Sequence, residues 1–323
     1  MKNSQKRQTI SKIMMNLAPL AGLLLLAIMF FILGTVKDYN IAYGMKAVVN
    51  QSVVVAIVAT GATFIYTLGS FDISLGASVA VSALLGGMAY NATGSILCML
   101  LVNVGVAVLI SLLNSVLASI FNLPVFVTTI AMLSVLNAVV LVLIRINGTG
   151  DKIAVPADAV RSLDTTWFKV LVLILFFVIS LFVFEFTKIG RMQKMLGSNP
   201  VCARLTGISG KKMAIVAFVM AGIGVGLGAF TSTIYSPTLT RNTASSVGMD
   251  VIIAIVFGGM PVSGGARSRI TAAIIGAFSM SFLGQIMTLL QFDSGIGQMV
   301  KACIFIIVVV AATLNQRTRM LPR

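Results

Sequence analysis

Three carboxylates, Asp72, Glu185 and Asp250, lie within or beside long apolar runs of this 323-residue chain. A charge at membrane depth is costly, so each needs a partner, a water-filled cavity or a helix end to hold it. The chemistry open to them is ion coupling, helix capping or contact with a solute. A hydrolytic site is not among the options. The chain has no His, the commonest general base and a frequent metal ligand, and no nucleophile signature stands near the acids. Asp72 opens the stretch Phe71-Asp-Ile-Ser-Leu-Gly76, where Asp72 and Ser74 are placed to cap the next helix or to meet a ligand. Asp250 opens Gly248-Met-Asp250 in the same manner. Uncharged polar groups also interrupt the apolar runs: Asn50, Gln51, Asn103, Asn114, Asn137 and Gln285. They suit either the lining of a path for a hydroxylated solute or hydrogen bonds between helices.

Two glycine-bearing stretches carry a different message. In Gly258-Gly-Met-Pro-Val-Ser-Gly-Gly265, glycine pairs flank a short polar turn, and Arg267 and Arg269 follow. Gly258, Gly259, Ser263, Gly264 and Gly265 therefore read as a hinge-like turn rather than a nucleotide fingerprint. Gly222, Gly224, Gly226 and Gly228 have the small-residue spacing of close helix contacts, within one bundle or at a dimer seam. Cys98, Cys202 and Cys303 are far apart and form neither a disulfide framework nor a metal-ligand spacing.

The elements that must position these residues are membrane spans. Hydrophobic residues make up 58% of the chain and charged residues 10%, which is too little charge for a water-facing surface. Ten apolar segments approach the roughly 20 residues a spanning helix needs. They cover 17–36, 46–66, 71–90, 95–120, 124–146, 166–186, 212–234, 248–262, 270–290 and 295–315. Those at 71–90 and 248–262 are short or glycine-interrupted and read as broken or re-entrant helices. The first run is too long for a signal peptide core and lacks a clear cleavage site, so it reads as a retained span. The chain thus divides into a basic amino-terminal tail (1–16), one membrane domain (17–315) and a basic carboxy-terminal tail (316–323).

Charge fixes the expected orientation. Ten crossings with the amino end inside place fifteen of the 23 basic residues in the cytoplasm: Lys2, Lys6, Arg7 and Lys12; Lys188, Arg191, Lys194, Arg204, Lys211 and Lys212; Arg267 and Arg269; and Arg317, Arg319 and Arg323. The mixed-charge loop 147–165 falls outside, and the basic loop 187–212 falls inside. Within that loop Asn199-Pro200 has the form of an N-cap followed by a first helical residue, and Gly207 is a stop. A short amphipathic helix over Val201–Leu205 would suit docking to a cytoplasmic partner, or be an ordinary basic loop. No phosphate-binding GxxxxGK[ST] loop exists, so any ATPase must be another chain. The excess of basic residues reads as topology and lipid contact, not nucleic-acid binding.

Taken together, four stretches resemble the permeases of the ribose-type, carbohydrate-uptake branch of bacterial ABC importers. They are Phe71–Gly76; Leu112-Leu-Asn114 through Leu123-Pro124-Val-Phe-Val-Thr128; Ile189-Gly-Arg191 through Leu196-Gly-Ser-Asn199 to Ala203-Arg-Leu-Thr-Gly-Ile208; and Gly258–Gly265. They occur in the family's order over about residues 45 to 312. The resemblance implies an all-α integral membrane protein of about ten transmembrane helices, of the type II ABC importer kind, in the bacterial inner membrane with both termini cytoplasmic. It implies a second permease copy or paralogue, cytoplasmic ATPase modules (one fused chain or two) and an extracytoplasmic solute-binding protein. ATP would be bound by the partner, leaving this chain without cofactor or catalytic residue. Gly190, Arg191, Gly197, Asn199, Ala203, Arg204, Gly207 and Ile208 match the element that docks on the ATPase. Asn50, Gln51, Asp72, Ser74, Asn114, Thr128 and Asp250 are the candidates for the path or for helix capping.

The expected solute is a monosaccharide such as ribose, xylose or galactose. Cys202, Gly248-Met-Asp250 and Met260-Pro-Val-Ser263 depart from the family's usual residues. Related permeases serve nucleosides, autoinducers and branched-chain amino acids, and these remain alternatives. The rival of another class is a stand-alone secondary transporter or channel. Such proteins repeat discontinuous helices in both halves, and beyond Asp72 and Asp250 each opening a short segment, the sequence displays no internal repeat.

Overall fold

The computed structural model describes the backbone of residues 2–320 and the side chains of residues 17–310 apart from 157, 159 and 294. The side chains of Lys2, Lys6, Arg7, Lys12, Arg317, Arg319 and Arg323, on which the expected tail charges rest, lie outside those described. The helices are α1 (Lys2–Val36), α2 (Ile41–Thr67), α3 (Leu75–Thr93), α4 (Ile96–Ile120), α5 (Val125–Asn147), α6 (Ala157–Arg161), α7 (Thr166–Leu181), α8 (Lys188–Ser198), α9 (Pro200–Leu205), α10 (Gly210–Tyr235), α11 (Val247–Phe257), α12 (Thr271–Leu289) and α13 (Ser294–Met320). A single π-helical turn, Phe182–Phe186, continues α7. Two short strands, β1 (Lys152–Ala154) and β2 (Thr238–Thr240), pair antiparallel with Ile153 opposite Leu239.

Among the described residues, eight helices are long and apolar enough to cross a membrane, and α11 and the apolar part of α13 (Gly295–Val310) are shorter. These are the ten segments read from hydropathy. Their starts are set by short polar caps. Asn40, Ser95, Thr165 and Ser209 each accept a hydrogen bond from a backbone N–H in the first turn of α2, α4, α7 and α10. Helix α1 differs from expectation in beginning at Lys2 rather than near residue 17. Burial sorts spans of similar hydropathy. The apolar window of α2 is 89% buried and that of α1 is 11% buried, so α2 is a central helix and α1 a peripheral one.

Helix α10 is the second central element, and its glycines explain how it fits. A β-carbon on Gly226 would strike Val104 in α4, and one on Gly222 would come within 2.7 Å of Val108 Cα. One on Gly224 would come within 3.0 Å of the Ile57 carbonyl of α2. The two i, i+4 pairs thus face two different helices of the same bundle, so the small-residue seam serves the subunit's own core.

The architecture contains an inverted repeat that the sequence concealed. Helices α2 and α10 run antiparallel, with Gly61 beside Ala221, Ile57 beside Gly224 and Val58 beside Gly228. Each is followed by an extended linker, 68–74 or 236–246, and then by a shorter helix, α3 or α11. Helix α3 packs on α4 as α11 packs on α12, and α5 and α13 then cover α3 and α11. The N-termini of α3 and α11 abut. A β-carbon on Gly76 would come within 2.8 Å of the Gly248 nitrogen, so Gly76 tolerates no side chain without a backbone shift, and one on Gly248 would be tight at 3.1 Å. From this meeting point the two helices diverge. Gly87 of α3 lies against Leu239 and Val155, whereas the turn after α11 lies against Thr67 and Gly69. The matching sequences are only Ser74-Leu-Gly76 and Ser246-Val-Gly248.

Candidate functional site

Helix α3 begins in a compact polar knot. The Ser74 N–H and Oγ–H both donate to Asp72 Oδ1, at 2.8 and 2.6 Å. Asn114 Nδ2 of α4 donates to Ser74 Oγ at 2.9 Å, and the Ile73 N–H donates to Thr129 Oγ1 of α5 at 3.3 Å. Thr128 is buried beside Thr129, and its hydroxyl has no hydrogen-bond partner. Three separate sequence stretches therefore converge here. The expected capping role of Asp72 needs correction. Ser74 occupies the N-cap position without a side-chain cap bond, and Asp72 locks the turn that precedes the helix instead of bonding its first-turn amides.

The equivalent end of α11 is built differently. Asp250 lies in the first turn, where the positive end of the helix dipole favours a carboxylate. Its partner is Lys301 of α13. A cavity of about 340 Å³ opens beside this pair. Its walls come from α2 (Gln51, Val54, Val55), the end of α10, the linker 236–246, α12 (Met280, Ser281, Gly284) and Lys301. Of the path candidates, Gln51 and Asp250 face this cavity, Asp72, Ser74 and Asn114 gather in the α3 knot, and Thr128 is buried next to Thr129, which bonds the knot. Asn50 belongs to neither group. Its Oδ1 accepts from Lys169 Nζ at 2.6 Å, and the same ammonium pairs with Asp164 at 2.7 Å. Lys169 is 1% exposed, so this residue is a buried tie between α2 and α7. The pairings of Lys169 and Lys301 carry no local sequence signal, because the acids lie five and 51 residues away in other elements.

At the other end of the bundle lie α8 and α9. Asn199 Oδ1 accepts from the N–H groups of Val201 and Cys202, both at 3.1 Å, and Pro200 takes the first helical position. Gly207 follows in the left-handed region at φ 83°. Ala203 is buried under this turn, whereas Val201 and Leu205 are 68% and 83% exposed, with Arg191 and Arg204 also exposed. The pair of helices is anchored from behind. Gly190 packs on the Phe184 carbonyl, and Gly197 packs on the Thr67 carbonyl at the end of α2. Ser198 Oγ accepts from the Ala266 N–H at 2.8 Å, and the Gly265 N–H donates to the Thr67 carbonyl at 2.9 Å. Lys194 Nζ lies 2.7 Å from Glu185 and 4.5 Å from the Phe184 ring centre. The glycine turn joins α11 to α12, with Gly259, Gly264 and Gly265 at φ 93°, 67° and 86°. Ser263 is exposed, and Gly258 packs on the Ala272 backbone.

Comparison with known proteins follows this geometry. The family described as branched-chain amino acid transport system, permease component, matches residues 44–309. The ribose import permease protein RbsC of Bacillus subtilis (strain 168) is 26% identical over 96% of this chain and 96% of its own length. The protein of that name from Haemophilus influenzae (strain ATCC 51907 / DSM 11121 / KW20 / Rd) is 23% identical over 82% and 83%. The autoinducer 2 import system permease protein LsrC of Yersinia pseudotuberculosis (serotype O:3, strain YPIII) is 26% identical over 84% and 78%. No solved structure matches the chain.

Proposed function

The chain belongs to the permease-component family just described, and from that premise we propose that it is the membrane-spanning subunit of an ATP-driven importer for a ribose-like monosaccharide. Xylose- and galactose-like sugars fall within the same proposal. The single observation that carries it is the α8–α9 element: a short helix with exposed Val201, Leu205 and Arg204, anchored rigidly to the bundle. Exposed apolar side chains beside a basic one on a short surface helix suit burial in a groove of another protein.

In this reading the basic end faces the cytoplasm, as the excess of Lys and Arg there favours. A partner ATPase grips α9. Ser198 and Gly197 pass its movement to Ala266 and to Thr67, the turns that close α11 and α2. Those turns lead to α12 and α3, so one push reaches both halves of the inverted repeat. Free energy is delivered by the partner, and this chain supplies the gate. A second permease copy or paralogue and an extracytoplasmic solute-binding protein complete the importer. The likeness to the autoinducer 2 permease supports one alternative, a different hydroxylated solute carried through the same architecture.

The test is reconstitution. Proteoliposomes holding the chain with its cognate ATPase and binding protein should accumulate D-ribose only with ATP. Downhill movement of D-ribose by the chain alone would instead identify a stand-alone carrier or channel.

A further inference from the structure

The half-helices α3 and α11 hold each other's linkers. The linker 68–74 feeds α3, and the turn that ends α11 grips it. A β-carbon on Gly69 would come within 3.1 Å of the Ser263 carbonyl, and one on Gly264 within 2.6 Å of the Thr67 carbonyl. The Gly265 N–H donates to that same Thr67 carbonyl. The linker 236–246 feeds α11, and the far end of α3 lies against it. A β-carbon on Gly87 would come within 3.0 Å of Leu239, which is fully buried. The inverted repeat is therefore crossed: each half-helix ends on the segment that starts the other, while the two starts meet at Gly76 and Gly248.

At the basic end of the bundle this grip is direct, backbone on backbone. At the opposite end strand β1 completes it. Asn91 Nδ2 of α3 donates to the Ala154 carbonyl at 3.0 Å, and the Val155 N–H donates to the Pro237 carbonyl at 2.9 Å. Ile153 and Val155 are buried while Lys152, Ala154 and Pro156 are exposed, the alternation of a strand with one packed face. A tight turn then carries β2 on to α11. The Thr240 N–H donates to Thr243 Oγ1 at 2.8 Å, and the Thr243 N–H donates to the Thr240 carbonyl at 2.9 Å. Contacts this close leave no room for one half-helix to slide past the other's linker, because packed elements switch between arrangements rather than stretch.

We propose that this crossed grip makes α3 and α11 shift as one unit, with β1 as the strap that fastens the end away from the basic face. The proposal rests on the ATP-driven importer reading above and adds how a movement delivered at Thr67 and Gly265 reaches both half-helices together.

The test uses proteoliposomes holding the chain with its cognate ATPase and binding protein, with ATP hydrolysis and uptake of labelled D-ribose read together. Two glycines inserted between the exposed Arg241 and Asn242 put slack between β2 and α11. Hydrolysis should continue, while D-ribose uptake per ATP hydrolysed is largely lost. Unchanged uptake per ATP overturns the crossed grip. A reversible lock covers the case of an insertion that fails to fold. Lys152→Cys with Thr240→Cys joins directly opposed residues of β1 and β2, at a spacing a disulfide can span. The wild-type chain, treated likewise, controls for Cys98, Cys202 and Cys303. A strap that stays paired through the cycle should transport alike oxidised and reduced. Uptake lost on oxidation and regained on reduction would mean that the strap opens, which overturns the proposal. Absence of ATP-dependent D-ribose uptake by the wild-type assembly is a different result: it overturns the importer reading itself and this proposal with it.

Discussion

Lys301 Nζ sits 2.6 Å from Asp250 Oδ1, tying α13 to the first turn of α11 across 51 residues of sequence. Both side chains are mostly buried, so removing one leaves the other with a charge and little water. Lys301→Met should cost about 2–3 kcal/mol, near the lower bound for breaking a buried pair because some exposure remains. Asp250→Asn with Lys301→Met should cost less than Lys301→Met alone. Thermal unfolding of the purified protein in detergent checks both. Equal Tm values for the single and double variants would mean that the pair does not couple.

The contact of α10 with α4 predicts a sharper effect at Gly226 than at a lipid-facing glycine. Gly226→Val places a branched side chain against the Val104 backbone, which cannot move without displacing α4. Overpacking of this kind costs about 1–3 kcal/mol or more. Gly105, with open space around it, should accept Val with little loss. Membrane abundance and Tm of the two variants give the comparison.

These two relationships differ in how far they were legible beforehand. Hydropathy located all ten apolar helices, because a lipid-facing surface forces long apolar runs. The small-residue spacing of α10 announced close packing but could not say against what, since Gly222 and Gly226 look the same as Gly224 and Gly228 until α4 and α2 are in place. The short helix α9 was legible from its ends, because Asn199, Pro200 and Gly207 act through local backbone chemistry. The inverted repeat was not. Helix packing of this kind can be built from different residues, and only Ser-Leu-Gly and Ser-Val-Gly match at the two half-helix starts. The partition of polar groups between the α3 knot and the cavity was equally hidden, since it depends on which helices pack beside α3 and α11.

Docking through α9 predicts a separation of phenotypes. Val201 and Leu205 are exposed and support nothing in the bundle. Val201→Asp with Leu205→Asp should leave the unfolding free energy within about 1 kcal/mol of wild type, as for other surface changes. Co-purification of the ATPase and ATP-driven uptake should both be lost. Gly207→Val adds a second probe, because φ 83° disfavours a branched residue. Retention of ATPase and uptake in both variants would remove α9 from the coupling path.

The Asp72 knot makes the last prediction, and it separates shape from charge. Asp72 Oδ1 accepts from the N–H and the hydroxyl of Ser74, and Asn114 holds that hydroxyl in turn. Asparagine retains an oxygen in the same place, so Asp72→Asn keeps both bonds in weaker, uncharged form. Asp72→Ala removes the acceptor and leaves a buried N–H unsatisfied, at about 1–3 kcal/mol. The expected order of Tm is therefore wild type, then Asp72→Asn, then Asp72→Ala, with D-ribose preference unchanged in the asparagine variant. A variant Asp72→Asn that inserts normally yet carries a different solute would give Asp72 a direct role in recognition.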